Sequence, residues 1–387
     1  MISDPNEQPD LTLVGDVMPG RKIAEAIARL GQSAAAARLR GLLPGRIAVG
    51  NLECALCDTP PEAELKADGA PNLHAPPEAA QFLRRAGFAA MGLANNHVLD
   101  CGEKGLVQTI ESLQRVGIQT FGAGRDLAEA IRPLVLSCGS RCVAFLAFGN
   151  GPPARRKSCG VAPFSSDALE KSLAQAPRAA DAVVVMVHVG LEFLEYPESA
   201  LREFADEALN GGADIVVGSH PHCIRGADRS DRGVILYSLG DFLADTSDGR
   251  LLVRHLSRTA MTQLGFEPTG AGTCRQALAC DVFLSPPGGV ECRLRPVVAG
   301  EDLLPRAATQ QEHEQIIGRV SRLSEPIRDA GSPEMLRLSA IEKAYARAYG
   351  RSAKLKDMLT LPFRFRPRHA AGILNRLTRM VSGSLER

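Results

Sequence analysis

Short apolar runs rich in branched residues alternate with longer stretches of helical period along most of the chain. The runs predict strands at Leu11–Val14, Ile47–Val49, Ala89–Leu93, Cys142–Phe148, Ala182–Val187, Ile215–Val217 and Val234–Tyr237. The 3.6-residue period predicts helices over Lys22–Leu39, Glu78–Ala86, Lys104–Val116, Ser165–Ala174, Ser199–Leu209, Gln311–Ser324 and Pro333–Tyr349. Gly87, Gly117 and Gly211-Gly212 supply stop signals. Two later runs, Leu278–Leu284 and Val290–Val298, flank Pro286-Pro287-Gly288-Gly289 and read as a hairpin. This alternation argues for an α/β layered fold.

The polar residues are placed with equal regularity. Asp16, Asn51, Asn96, His188, His220 and Asp241 each fall at or just past the C-terminal end of a predicted strand. In α/β sheets that edge is where sites are built. Glu53, His97 and His222 lie within two residues of members of this set, so half of the eight histidines belong to it. Carboxylate, amide oxygen and imidazole form the mixed O/N donor set that suits Mn, Fe or Zn. His220 and His222 are two apart across Pro221, a spacing that on extended backbone turns both rings to one side.

Composition narrows the partners. Lys plus Arg is 45 and Asp plus Glu is 44, a net charge of +1 that gives no whole-chain attraction to nucleic acid. Trp is absent and aromatics are 4%, so stacking platforms for bases are scarce. The polar residues Met1 to Asp10 lack the basic and apolar regions of a signal peptide. No apolar run reaches the ~18 residues of a membrane span. The ten cysteines read as reduced thiols of a cytoplasmic protein, and the Cys54/Cys57 pair has no second CxxC to complete a zinc site. From Arg351 onward nine Lys/Arg face only Asp357 and Glu386, which marks a basic tail. Within it, Ile373, Leu374, Leu377, Met380 and Val381 alternate with Arg376 and Arg379, a pattern suited to peripheral contact with an anionic membrane face.

Six motifs occur in order: Gly15-Asp16-Val17-Met18, Gly50-Asn51-Leu52-Glu53, Ala94-Asn95-Asn96-His97, His188-x-Gly-x-Glu192, Gly218-Ser219-His220-Pro221-His222 and Tyr237-Ser238-Leu239-Gly240. In these motifs the chain resembles the bacterial CapA family, named for poly-γ-glutamate capsule biosynthesis and similar to calcineurin-like metallophosphoesterases. The resemblance also takes in Asp100-Cys101-Gly102 and the Gly122-Ala123-Gly124 turn. It implies a four-layer αββα sandwich over residues 11–325, followed by a C-terminal helical extension with the basic tail at 326–387. It implies one or two divalent ions held by Asp16, Glu53, Asn96, His188, His220 and His222, with Glu53 bridging. His97 is implied to protonate a leaving oxygen.

Three positions depart from the CapA-type pattern, and a fourth, Met18, is shared with it but departs from the phosphoesterase pattern. Met18 stands where the phosphoesterase pattern has His, so the first metal is expected to be weaker, more exchangeable or absent. Asp241 replaces an Asn, Val189 an aromatic residue and His74 an Arg, and all three are expected at the mouth of the site. His74 and Asp241, with the guanidinium fork of Arg21, are candidate contacts for an anionic substrate. Glu192, four residues past His188, is a candidate to orient an imidazole or meet substrate. The expected activity is hydrolysis of a phosphoester-type bond, or a part in making a capsule-type anionic polymer. The alternatives are metal-assisted acid/base chemistry on a peptide (isomerisation, epimerisation or peptide-bond chemistry) and a non-catalytic binding factor. The expected partner is an anionic small molecule, polymer or peptide, in the cytoplasm or at the inner membrane face.

Overall fold

The computed structural model describes residues 7–59, 71–245, 274–285 and 289–348. The amphipathic tail segment Ala370 to Val381 lies outside the described residues. An eight-stranded sheet runs in the order Pro305–Ala307, Gly289–Ala299, Gln276–Ser285, Leu11–Val17, Ile47–Leu52, Phe88–Gly92 and Gln119–Phe121. Its eighth strand, Asp241–Leu243, pairs in parallel with the end of Leu11–Val17. A six-stranded sheet has the order Ala227–Ser230, Gly233–Leu236, Ile215–Ser219, Ala182–His188, Arg141–Gly149 and Leu134–Cys138. The central strands of both sheets are parallel, as expected where both faces are covered.

The sheets pack face to face, and helices close the two outer faces. Val143, Phe145, Ala147, Val184, Met186 and Val217 of the six-stranded sheet share one apolar core with Leu13, Val49 and Ala90 of the other. Across it the Phe121 and Phe145 rings lie 5.8 Å apart. The alternate residues Leu146, Phe148, Val185, Val187 and Val216 point outward onto the helices Ser166–Leu173 and Ser199–Asn210. The period-2 alternation of a strand thus feeds two cores from one run. The helices Arg21–Leu30, Gln32–Gly41, Ala79–Ala86 and Gly102–Arg115 cover the other sheet. This is the expected four-layer αββα order.

The strand runs are each found within a few residues of their expected bounds, and the hairpin pairs Ser285 with Gly289. The single helix expected over Lys22–Leu39 is two, because Gly31 takes φ +88° and turns the chain between them. The helix Gln310–Arg328 starts on a capping box in which Thr309 and Glu312 each bond the other's backbone N–H. It carries Ile316, Val320 and Leu323 inward, and runs through Pro326. The cysteines are not all thiols: Cys57 is joined to Cys101. The segment Ala55–Leu56 lies along the helix Gly102–Arg115, with Leu56 N donating to Thr109 Oγ1 at 2.8 Å, and this seats Cys57 at the helix start. Among the described residues no helix is long and apolar enough to cross a membrane.

Candidate metal centre

Both sheets end their parallel strands at the same edge, and the strand-end residues converge there. Asp16, fully buried, is near the end of the first strand. Its Oδ1 accepts from Asn51 Nδ2 at 2.6 Å and lies 3.4 Å from His188 Nδ1, while its Oδ2 accepts from the backbone N–H of His220 at 3.0 Å. His188 Nε2 is 2.8 Å from Asn96 Oδ1, 3.1 Å from His220 Nδ1 and 3.4 Å from Glu53 Oε1. His222 Nε2 is 3.8 Å from the same Glu53 oxygen, and its Nδ1 lies 2.9 Å from Asp241 Oδ1. Glu53, His220 and His222 each place a ligand atom within 4.8 Å of the others, and so do Asp16, Glu53, His222 and Asp241.

The backbone bends to make this convergence. His220 has φ +93° and His222 φ +54°, left-handed conformations that cost a side-chain-bearing residue of order 1–3 kcal/mol each. Such strain persists only where the surroundings hold it. Phe193, itself at φ +61°, stacks on the His222 ring at 5.8 Å and donates its N–H to Pro221 O at 2.8 Å. Arg225, fully buried, in turn holds the Phe193 segment. It donates to the carbonyls of Leu191 and Leu194 and pairs with Glu198 through both terminal nitrogens.

The charges are mutually dependent. Burial opposes charge on the imidazoles, yet Glu53 and Asp16 raise His188 to about 9, and Asp241 and Glu53 hold His222 well above the ordinary imidazole range. Burial, with the charges of His188 and His222, pushes His220 well below that range, which keeps it neutral. Burial would raise Asp16, but His188 holds its carboxyl below the ordinary value. Burial raises Asp241 against the pull of His222.

The donor set fits a divalent cation. Glu53 Oε1, His220 Nε2 and Asp241 Oδ2 are buried polar atoms with no hydrogen-bond partner, in a site where most such groups would be satisfied. Three carboxylates within 4.8 Å repel one another, and a bound cation removes that repulsion. Asp16, Glu53, Asn96, His188, His220 and His222, expected together, are all in this cluster.

His97 sits beside the cluster. Its Nε2 is 3.9 Å from Glu53 Oε1, and its Nδ1 is 2.7 Å from Asp100 Oδ2, which also accepts from the Leu73 N–H. Glu192 is half-buried, and its charge adds to those that raise His222. His74 is half-buried on the short strand His74–Ala75, whose backbone leaves no room for a Cβ on Gly20, just before exposed Arg21. Two mouth residues are elsewhere. Val189 is fully buried in the outer core, because it continues the outward-facing set of Val185 and Val187. Asp241 is buried against His222, because its strand pairs with the Asp16 strand. Asn51, in the strand-end set but given no role by its sequence, ties Asp16 to His188 through its amide. Asn95, likewise given no role, donates to Asn51 Oδ1 and Leu52 O.

The model of the family described as "Bacterial capsule synthesis protein PGA_cap" matches residues 10–246. The chain belongs to this family. A PGA_cap relative, "Capsule biosynthesis protein CapA" of Bacillus anthracis, is 32% identical over 265 residues, 65% of this chain and 64% of that protein. "PGA biosynthesis protein CapA" of Bacillus subtilis (strain 168) is 28% identical over 268 residues, 66% of this chain and 70% of that protein. The match thus spans less than two thirds of the first relative's length. A solved sulfate thiohydrolase, SoxB of Thermus thermophilus in complex with glycerol, is similar over 84% of this chain and 62% of its own, at 13% identity and a TM-score of 0.43.

Proposed function

We propose that this PGA_cap chain is a metal-dependent hydrolase of a phosphoester-type bond in an anionic substrate, serving the synthesis of a capsule-type anionic polymer. The observation that carries the reading is the set of unpartnered buried atoms on Glu53, His220 and Asp241, residues that belong to two groups of possible ligands sharing Glu53 and His222. Asp16, His222 and Glu53 would hold one ion, and Asn96, His188, His220 and the shared Glu53 a second. A divalent ion there supplies Lewis acidity and offsets the charge of an anionic substrate oxygen.

The chain's own residues supply the rest. Asp100 fixes the His97 ring through Nδ1, so Nε2 is the atom left to exchange a proton on the cluster side. A departing alkoxide needs that proton. His97 is therefore the general acid of this reading, and Asp100 its positioning residue. Glu192 would orient the imidazole or meet the substrate, while His74 and Arg21 would be the anion contacts at the entrance. The names of the Bacillus relatives support a role in polymer synthesis and leave the bond acted on open.

The test is a screen of Mn²⁺-loaded protein on aryl phosphates, alkyl phosphodiesters and γ-glutamyl peptides, with His97→Ala alongside. Phosphoester turnover that falls at least ~10²-fold in His97→Ala fits the hydrolase. A metal-loaded protein that changes only the peptides rejects it in favour of acid/base chemistry on a peptide.

A further inference from the structure

We propose that Asp241 is a direct ligand of the first ion, filling the place for which position 18 offers no imidazole. The inference rests on the metal-binding reading above and extends its ligand set. Met18 is 3% exposed and packs in the larger hydrophobic core, so its side chain brings no anionic or imidazole donor to the site. Asp241 comes from a distant part of the sequence to take its place. The strand Asp241–Leu243 lies in parallel beside Leu11–Val17, with Asp16 and Asp241 in register. Two glycines permit the approach. A Cβ on Gly15 would meet Gly240 O at 2.0 Å, and Gly240 itself has φ +71°.

The carboxylate has two oxygens with two environments. Oδ1 is 2.9 Å from His222 Nδ1 and orients that ring. Oδ2 is buried and has no partner, on a residue that is 7% exposed. A carboxylate present only to orient a histidine would not need to bury its second oxygen unpaired, since an unsatisfied buried acceptor is destabilising. Asp241 also offers a ligand atom within 4.8 Å of those of Asp16, Glu53 and His222. Ligands on one ion bound at ~2.0–2.2 Å stand at most ~4.4 Å apart, so closure needs only a few tenths of an ångström.

Two consequences follow. The first ion has a full set of four protein ligands, so it is not the weakly held one that Met18 alone suggests. Its set is three carboxylates and one imidazole, which favours an oxygen-preferring ion such as Mn²⁺ over Zn²⁺.

The test compares chelator-stripped wild type with Asp241→Asn, which keeps an oxygen acceptor for His222 and removes the anionic ligand. Mn²⁺ binding is measured by calorimetry and by metal analysis, and folding by thermal unfolding in EDTA. The expected result is an unchanged or higher Tm in EDTA, with one Mn²⁺ affinity weakened at least ~10-fold. Wild-type affinity in a folded Asp241→Asn overturns the proposal, leaving Asp241 to orient His222 and the metal reading intact. Wild type that binds no Mn²⁺ overturns the metal reading itself, and the proposal with it. A crystal of wild type soaked in Mn²⁺ decides independently of any variant. Anomalous density within ~2.4 Å of an Asp241 oxygen supports ligation, and an ion beside Asp16 with both Asp241 oxygens beyond ~3 Å refutes it.

Discussion

Arg225→Met removes the cation at the centre of the segment that supports His222. The Arg225 and Glu198 side chains are 0% and 3% exposed, so solvent does not take over when one partner goes. Four hydrogen bonds are lost: Nε to Leu194 O at 2.7 Å, Nη1 to Glu198 Oε2 at 3.0 Å, and Nη2 to Glu198 Oε1 and Leu191 O, both at 3.2 Å. Glu198 is left as a buried carboxylate with only the Leu191 N–H to bond. Removing one partner of a buried pair costs about 3–5 kcal/mol. At about 2–4 °C per kcal/mol, the upper figure being that of smaller domains, Tm in EDTA should fall by about 6–20 °C. The double variant Glu198→Gln/Arg225→Met removes the stranded charge and should recover about half of that loss, since contacting residues are non-additive. Thermal unfolding followed by far-UV circular dichroism measures both. A single variant that loses less than ~2 °C, or a double variant that loses the sum of both singles, would refute the buried-pair reasoning.

His97→Ala should keep its metal content and fold and lose ~10²–10⁴-fold in rate on an alkyl phosphoester, with a smaller loss on nitrophenyl phosphate, whose leaving group departs without a proton. Loss of metal in that variant would make His97 a ligand instead. The capping box at Thr309 is tested by pH. Hydrogen bonds from Arg306 and from the Thr309 N–H hold Glu312 down at about 2, against an ordinary value of 4.5. The Glu312 contribution is therefore complete above about 4.5 and lost as pH falls toward about 2. The Tm gap between wild type and Glu312→Gln should close across that window, and a gap constant from neutral pH to about 2.5 would exclude the assignment.

The legible part of the molecule was the part carried by local pattern. The strands that end in Asp16, His188 and Ser219-His220 are continuous apolar runs, so their polar ends stood out. The helix stop at Gly87 was equally plain, and it takes φ +104° as a left-handed cap should. What escaped depends on contacts between distant segments. Asp241 reads as a mouth residue because nothing in Ser238-Leu239-Gly240-Asp241 states that its strand pairs with the Asp16 strand. Cys57 reads with Cys54 as a CxxC, whereas its partner is set by the helix that begins at Gly102. Asn51 gets no role from its motif because its contribution is made through its amide N–H, which bonds Asp16 and faces His188 from distant strands. Gly31 inside a helical period was ambiguous between a tolerated glycine and a break, and its φ of +88° makes it a break.

The most direct test of the central reading is metal analysis of protein purified without chelator, with His220→Ala beside it. Wild type should carry one or two equivalents of Mn, Fe or Zn per chain, or take them up after stripping and reloading. Folded His220→Ala should hold at least one equivalent fewer, since His220 Nε2 is one of the unpartnered atoms facing the cluster. Wild type that stays metal-free after reloading with each ion, or His220→Ala with undiminished occupancy, would contradict it.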